Sequence, residues 1–367
     1  MDEATLQSLS AKMKRRARFD HAARRPFPRK LKSTTHYSLF IRAMNNILST
    51  ELAQFTYAQI IDGLPIEDVA WDRRIPAVYG NHPIEHHPDL CPGALDCARK
   101  QKDEIDFSIL SFDPGLINAY IQSTPGTKAF NTRLIELVAV ALNEIGVILF
   151  QMDIRLHQGQ GDLSIEAITN WKEDPDEETL PTMFHHPYYL HSDIYPLGVA
   201  NMAGYWAEDR ILGGVVTFDR KAEQEDCTHP PNVYIVPSRA GTTLRYWQLL
   251  DGQQEELIGV FIGDGETKGD GPLPLKCTDE NKVRIDERFA VVPRGVYRDV
   301  WERLPPSIEH MRHMDRRPRN EGDYPEDGMV ELMRAIEEAY GEIDRDDVRD
   351  DVGTGSVEGG QDRKGEE

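Results

Sequence analysis

Cysteine is scarce, with four in 367 residues, which excludes a disulfide scaffold. Basic charge is also in deficit. Acidic side chains number 63 against 42 basic, giving a formal net charge of −21, and that sign excludes a globally basic nucleic-acid binder while leaving a local basic patch open. No uninterrupted apolar run approaches the ~20 residues that a bilayer requires, and no N-terminal stretch resembles a secretory signal. The phosphate-loop pattern GxxxxGK[ST], a strand-borne GxGxxG and the nucleophile-elbow pattern GxSxG are missing too, and no internal repeat is present. What is present is 39% apolar residues, enough for a real core at this length. The expectation is a soluble protein without a membrane segment, cytoplasmic or nuclear.

Charge is unevenly spread. Residues 1–35 hold a local balance of +7 and read as a basic flexible arm, whose cluster at residues 12–32 could touch a polyanion. Its aromatics are only Phe19 and Phe27, too few for base stacking. Residues 342–367 are acidic and nearly devoid of apolar side chains, so they read as a disordered tail. A linker over 311–328 and a short amphipathic helix over 329–341 precede that tail.

Between the ends, residues 36–310 read as one α+β domain, with a helical N-terminal half packed on a small antiparallel sheet. Tyr37 to Leu48 and Thr50 to Asp62 predict a helical hairpin, with Thr50 as N-cap and Gly63 as C-terminal stop. Prolines scattered through 64–131 predict an irregular stretch. Arg133 to Leu156 carries apolar residues at three- and four-residue spacing and predicts a core helix, interrupted by too many polar residues for a membrane span. The stretch 181–262 holds eleven of the thirty aromatics and marks the centre of the fold. Within it, Leu197 to Arg210 predicts a helix, Ile211 to Phe218, Asn232 to Pro237 and Thr242 to Leu250 predict strands, and Gly252 to Ile262 predicts a further helix.

Three groups of residues could carry chemistry. His82, His86, His87, Cys91 and Cys97 are imidazole and thiol donors of the kind zinc takes, but their spacing fits no standard zinc module, and a polar surface loop explains them as well. His191 and Asp193 form an HxD pair, the first half of a two-histidine, one-carboxylate iron triad that His229 and an anchoring Arg239 could complete. The two histidines are only 38 positions apart, too few for the strands such a site needs, so no metal and no cofactor is assigned. Third, Asn201, Tyr205 and Glu208 share one helix face. Glu208 and Asp209 fall at the helix C-terminus, where the macrodipole disfavours negative charge. The simpler reading is a solvated helix end neutralised by Arg210. The functional reading gathers His191, Asp193, Tyr205 and Glu208 into an aromatic-rich pocket for a small-molecule ligand and acid–base chemistry.

The strings Asp193-Ile194-Tyr195-Pro196-Leu197-Gly198-Val199-Ala200, Gly204-Tyr205-Trp206-Ala207-Glu208 and Ile211-Leu212-Gly213-Gly214-Val215-Val216-Thr217-Phe218-Asp219-Arg220 resemble an uncharacterised protein family of filamentous fungi. With the stretch from about Phe184 to Ile262 around these strings and the helix Arg133 to Leu156, the resemblance covers about a third of the chain. It implies a fungal origin and a compact domain sharing Asp193, Tyr205, Glu208 and Asp219, without supplying an activity. Arginine-containing cyclodipeptide synthases, which use tRNA, are an outside alternative that a basic arm would suit. Their DDxxE motif is absent, and the nearest string is Asp346-Asp347-Val348-Arg349-Asp350 in the acidic tail. The readings that stand are an enzyme or accessory factor of secondary metabolism, with a non-catalytic interaction module using the charged termini as the alternative.

Overall fold

The computed structural model describes residues 23–72, 81–172, 179–225, 229–239, 243–263, 271–303 and Asp323. The chain divides into units Met1–Asn320 and Glu321–Glu367, and the architecture that follows belongs to the first. The basic cluster from Lys12 to Arg18, the linker apart from Asp323, the short C-terminal helix and the acidic tail lie outside the described residues.

Seven helices of nine or more residues are present among the described residues: α1 (Thr35–Leu48), α2 (Glu51–Asp62), α3 (Ala94–Glu104), α4 (Pro114–Gln122), α5 (Lys128–Met152), α6 (Val199–Leu212) and α7 (Asp251–Ile262). Local chemistry accounts for their limits. The Thr34, Thr50 and Thr127 side chains accept the N–H groups of Tyr37, Ala53 and Phe130, satisfying donors that the first turns of α1, α2 and α5 leave free. Gly63, at φ 101°, ends α2 in the left-handed conformation that its lack of a Cβ permits. The expected irregular stretch over 64–131 instead contains α3 and α4. Its described prolines lie between helices or at their starts: Pro92 precedes the Gly93 N-cap, and Pro114 opens α4 behind the Asp113 cap.

The sheet comprises β1 (Val215–Asp219), β2 (Val233–Val236), β3 (Tyr246–Gln248), β4 (Arg284–Ile285) and β5 (Val296–Tyr297). Their order is β4-β3-β2-β1-β5, antiparallel throughout. The fold is therefore α+β, as expected. The first strand begins later than predicted, because α6 runs on through Leu212 and Gly213, at φ 95°, ends it. Gly213 and Gly214 make the corner between helix and strand. A Cβ on Gly213 would stand 2.2 Å from the Leu275 carbonyl oxygen, so the close approach that these glycines permit is that of another backbone.

Alternate residues of the strands feed two apolar cores. Val216, Phe218, Val233, Ile235 and Trp247 join the larger core, built with α1, α2, α5 and α7. Val215, Tyr234, Val236 and Tyr246 join a smaller, tyrosine-rich one with Tyr189, Tyr195 and Trp301. Helix α6 also stands between the cores, giving Trp206, Ala207 and Ile211 to the first and Met202 and Tyr205 to the second. It packs most extensively on α5, which has the length and apolarity to cross a membrane but is mostly buried inside the fold.

The fold begins earlier than the expected boundary at residue 36. Phe27 is buried, its ring 5.2 Å from that of Phe40 and 5.4 Å from that of Phe112. The Arg25 and Phe112 backbones exchange hydrogen bonds of 2.9 Å. The arm reading therefore fails for residues 23–35, which burial of one aromatic and a backbone bridge tie to the body.

Small residues set the separation of α5 and α6. A Cβ on Gly204 would lie 2.7 Å from the Asn143 carbonyl oxygen and 2.8 Å from Val147 Cγ2, so the helices must part to admit it. Gly204→Ala is expected to cost about 1–3 kcal/mol in denaturant unfolding. Gly259→Ala, within α7 where a methyl meets nothing within 4 Å, is expected to stabilise by about 0.4–1 kcal/mol.

Candidate functional site

Burial on both sides of α6 overturns the solvated-end reading of Glu208 and Asp209, which are 0% and 1% exposed. Arg210 does not neutralise them, since its guanidinium pairs with Asp72. Glu208 accepts from Arg298 Nη1 at 2.6 Å, from the Val216 N–H at 2.8 Å and from Asn143 Nδ2 at 3.3 Å. Burial pushes its carboxyl above the ordinary range, and the Arg298 charge partly opposes that. Asp209 accepts from the Ser238 hydroxyl at 2.6 Å, with Arg239 and His186 each 3.7 Å away. Burial would raise it too, but Arg239 and His186 outweigh that and hold it below its usual value. The cation that offsets the helix dipole here is Arg239, whose Nη2 also donates to the Asp209 carbonyl at 2.6 Å.

The four residues singled out in the sequence lie on α6 and in the turns just before it. Tyr205 and Glu208 are fully buried on α6. His191 and Asp193 lie in the turns before it, and the His191 N–H donates to the Tyr195 hydroxyl at 3.4 Å. Tyr195 in turn packs its ring 5.6 Å from that of Tyr205, so His191 borders the same aromatic cluster. Arg298 occupies the place beside the Glu208 carboxylate. The iron arrangement loses its anchor, because Arg239 is committed to Asp209, and His229 is exposed in a loop.

Beyond Arg298 the network reaches a cleft of about 540 Å³ whose wall includes Arg24, Glu136, Arg220, Arg298, Asp299 and Trp301. Asp299 is its focal carboxylate. It accepts from the Arg24 guanidinium, from Arg298 Nε at 3.3 Å and from the Tyr205 hydroxyl at 3.3 Å. Trp301 Nε1 donates to that same hydroxyl at 2.9 Å, so both polar valences of the buried tyrosine are used. Across the cleft, Glu136 is paired with Arg133 at 2.9 Å and with Arg220.

Glu302 stands behind Asp299. Its Oε1 accepts the backbone N–H groups of Asp299 at 2.7 Å and Arg298 at 3.2 Å, and its Oε2 accepts from the Tyr189 hydroxyl at 3.0 Å. The rings of Tyr189 and Tyr205 stack at 4.1 Å and close the group. Burial would raise Asp299, but Arg24 and Arg298 more than offset it and keep its carboxyl below the ordinary value. Burial, with the Asp299 charge beside it, pushes Glu302 up to about 7. One carboxylate of the pair is thus held ionised and the other poised near neutrality, the division of labour that acid–base chemistry uses. Sequence reasoning missed Arg298, Asp299, Trp301 and Glu302. The only signal was the tight alternation of aromatic and charged residues from Tyr297 to Arg303, which no motif describes.

The zinc-type donors separate. His82 caps the turn at Ile84 with its Nδ1, and its ring meets those of Trp71 and Trp171 at 5.1 and 4.7 Å. His86 is exposed, and Cys97 packs against the larger core from α3. His87 and Cys91 remain together, joined by His157, which the sequence reading had passed over. Burial, and then Asp62, push the Cys91 thiol up to about 12, so on its own it is not a thiolate nucleophile near neutral pH.

The raised carboxyl of Glu302 has a consequence for stability. From the unfolded value of about 4.3 up to about 7, the folded protein binds more protons than the unfolded chain, so stability falls as pH rises through that window. Glu144, pushed up to about 7 by burial, adds the same slope. Urea midpoints measured across this range are expected to decline with pH, and Glu302→Gln is expected to make the decline shallower. A native-like slope in that variant would contradict the assignment. No protein-family model, curated protein or solved structure matches the chain.

Proposed function

We propose that the protein is an enzyme or accessory factor of fungal secondary metabolism that holds a small polar molecule in the cleft at Asp299 and exchanges a proton with it. The observation that carries this reading is the Asp299 carboxylate at the cleft wall, fixed by Arg24, Arg298 and Tyr205 and backed by Glu302. Guanidinium and carboxylate groups alternate around the cleft, which favours a ligand with both donors and acceptors over an apolar one or a polyanion. Asp299 touches the ligand in this scheme. Glu302 fixes the Asp299 backbone N–H, and with Tyr205, Glu208 and Arg298 it is a positioning residue. The fungal origin rests on the sequence resemblance alone. The acid–base group differs from the pair expected, with Asp299 in the place given to His191 and Asp193.

Comparison of metabolites after gene replacement tests this. Deletion and Asp299→Asn are expected to produce the same change in one metabolite or a small related set, with Asp299→Asn protein still present at native abundance. His191→Gln is expected to leave the profile as in the native strain. A native profile in Asp299→Asn, together with a changed one on removing residues 1–22 or 324–367, would overturn the proposal in favour of an interaction module using the termini.

A further inference from the structure

Away from the cleft, three distant segments meet at the C-terminal end of α2. After α5 the chain turns back, and the N–H groups of Leu156 and His157 donate to the carbonyls of Ile61 at 3.2 Å and Asp62 at 2.9 Å. The loop ahead of α3 is fixed from the other side, where Glu67 donates to the His87 carbonyl at 2.9 Å and the Cys91 N–H donates to Asp62 Oδ2 at 2.9 Å. Backbone bonds therefore bring His87, Cys91 and His157 together around the Asp62 carboxylate.

One donor atom from each of His87, Cys91 and His157 lies within 4.8 Å of the others. Cys91 Sγ is 3.5 Å from His157 Nδ1. His157 Nε2 is 2.8 Å from the Leu163 carbonyl, a contact that places the proton on Nε2 and turns the Nδ1 lone pair towards the sulfur. A metal-bound histidine is held in this way, by a carbonyl on its far nitrogen. Asp62 is 0% exposed, and its Oδ2 is 3.3 Å from His87 Nε2. Asp62 Oδ1 has no hydrogen-bond partner among the described residues. A buried carboxylate with one oxygen unsatisfied, beside an imidazole and a thiol, favours a positive partner there.

We propose that His87, Cys91 and His157 bind one zinc ion, with Asp62 as the carboxylate that orients the ligands and balances the charge. Two nitrogens and one sulfur suit zinc, whereas magnesium and calcium take oxygen donors. On binding, the Cys91 S–H bond breaks, sulfur keeps the electron pair as thiolate and donates it to the ion, and the proton leaves to solvent. The Cys91 thiolate and Asp62 carboxylate then cancel the two positive charges of the ion, which a buried site requires. Three protein donors leave a fourth tetrahedral position for water. A cavity of about 430 Å³, lined by Phe55, Ile66, Leu90, Cys91 and Leu95 among others, adjoins the cysteine.

Titration of the full-length, chelator-treated chain with cobalt(II) as the probe tests the site. One equivalent is expected to produce a thiolate-to-cobalt charge-transfer band that zinc abolishes. Cys91→Ser is expected to remove the band, and His157→Gln to weaken binding at least tenfold. Asp62→Asn is expected to keep the band while weakening binding by about 10–100-fold. Cys97→Ser and His86→Gln are expected to titrate like the native chain. Circular dichroism checks that each variant is folded, and should Cys91→Ser not fold, His157→Gln decides, since its ring is only half-buried. Absence of stoichiometric binding, native-like titration by His157→Gln, or loss of the band in Cys97→Ser would overturn the proposal.

Discussion

The buried ion pair between Glu208 and Arg298 is the constraint on which the arrangement around the cleft depends. Both side chains are almost wholly removed from water, and neither could stay charged there alone. Glu208 is also bonded to the backbone of β1 and to Asn143 of α5, so a single carboxylate ties α6, α5, β1 and the segment after β5 together. With Arg298 anchored at Glu208, its neighbour Asp299 has little choice of direction. It meets Tyr205 from the same helix and Arg24 from the beginning of the described chain. Glu208 therefore sets the geometry of the cleft from behind it.

That pair can be buried because α6 has no solvent side. One face serves the larger core and the other the tyrosine-rich core, and the sheet divides the same two volumes through alternate strand residues. A helix in this position must be narrow towards its main partner, which the opposition of Gly146 and Gly204 achieves. It must also answer its own polar groups internally, and it does so through two separate sets, Arg298 for Glu208 and Ser238, Arg239 and His186 for Asp209. Such a helix contributes apolar contact on one side and fixed charge on the other, so stability and site geometry are carried by the same fourteen residues.

How far the sequence discloses this depends on how local each cause is. Thr50 and Gly63 bound α2 by interactions within a few residues, and the three- and four-residue spacing in α5 marks a core helix wherever it lies. Strands β1 to β3 are recognisable by their β-branched and aromatic content, whereas β4 and β5, two residues each, are not. What was hidden comes from partners far along the chain. Nothing near Glu208 announces Arg298, which lies 90 positions on, and nothing near Cys91 announces His157, 66 positions on. Glu208 and Asp209 looked like an ordinary solvated helix end because a charged residue is normally exposed, and only the second core beyond Tyr205 reverses that inference. Tyr205 and Glu208 stand out by their shared helix face, whereas Asp299 and Arg298, which meet them in space, lie far along the chain. Prolines such as Pro92 and Pro114 mislead for a related reason, since proline breaks a helix only from inside it and these lie before or at the start of helices.

The most direct measurement is a double-mutant cycle on the central pair, with Glu208→Gln, Arg298→Met and the combined variant compared by urea unfolding. If the pair is the constraint described, each single change strands one buried charge or dipole and costs about 3–5 kcal/mol. The combined variant should then be no less stable than either single one, giving a large coupling energy. Additive losses, with the double variant destabilised by the sum of the two, would contradict the account and place the two residues in separate roles.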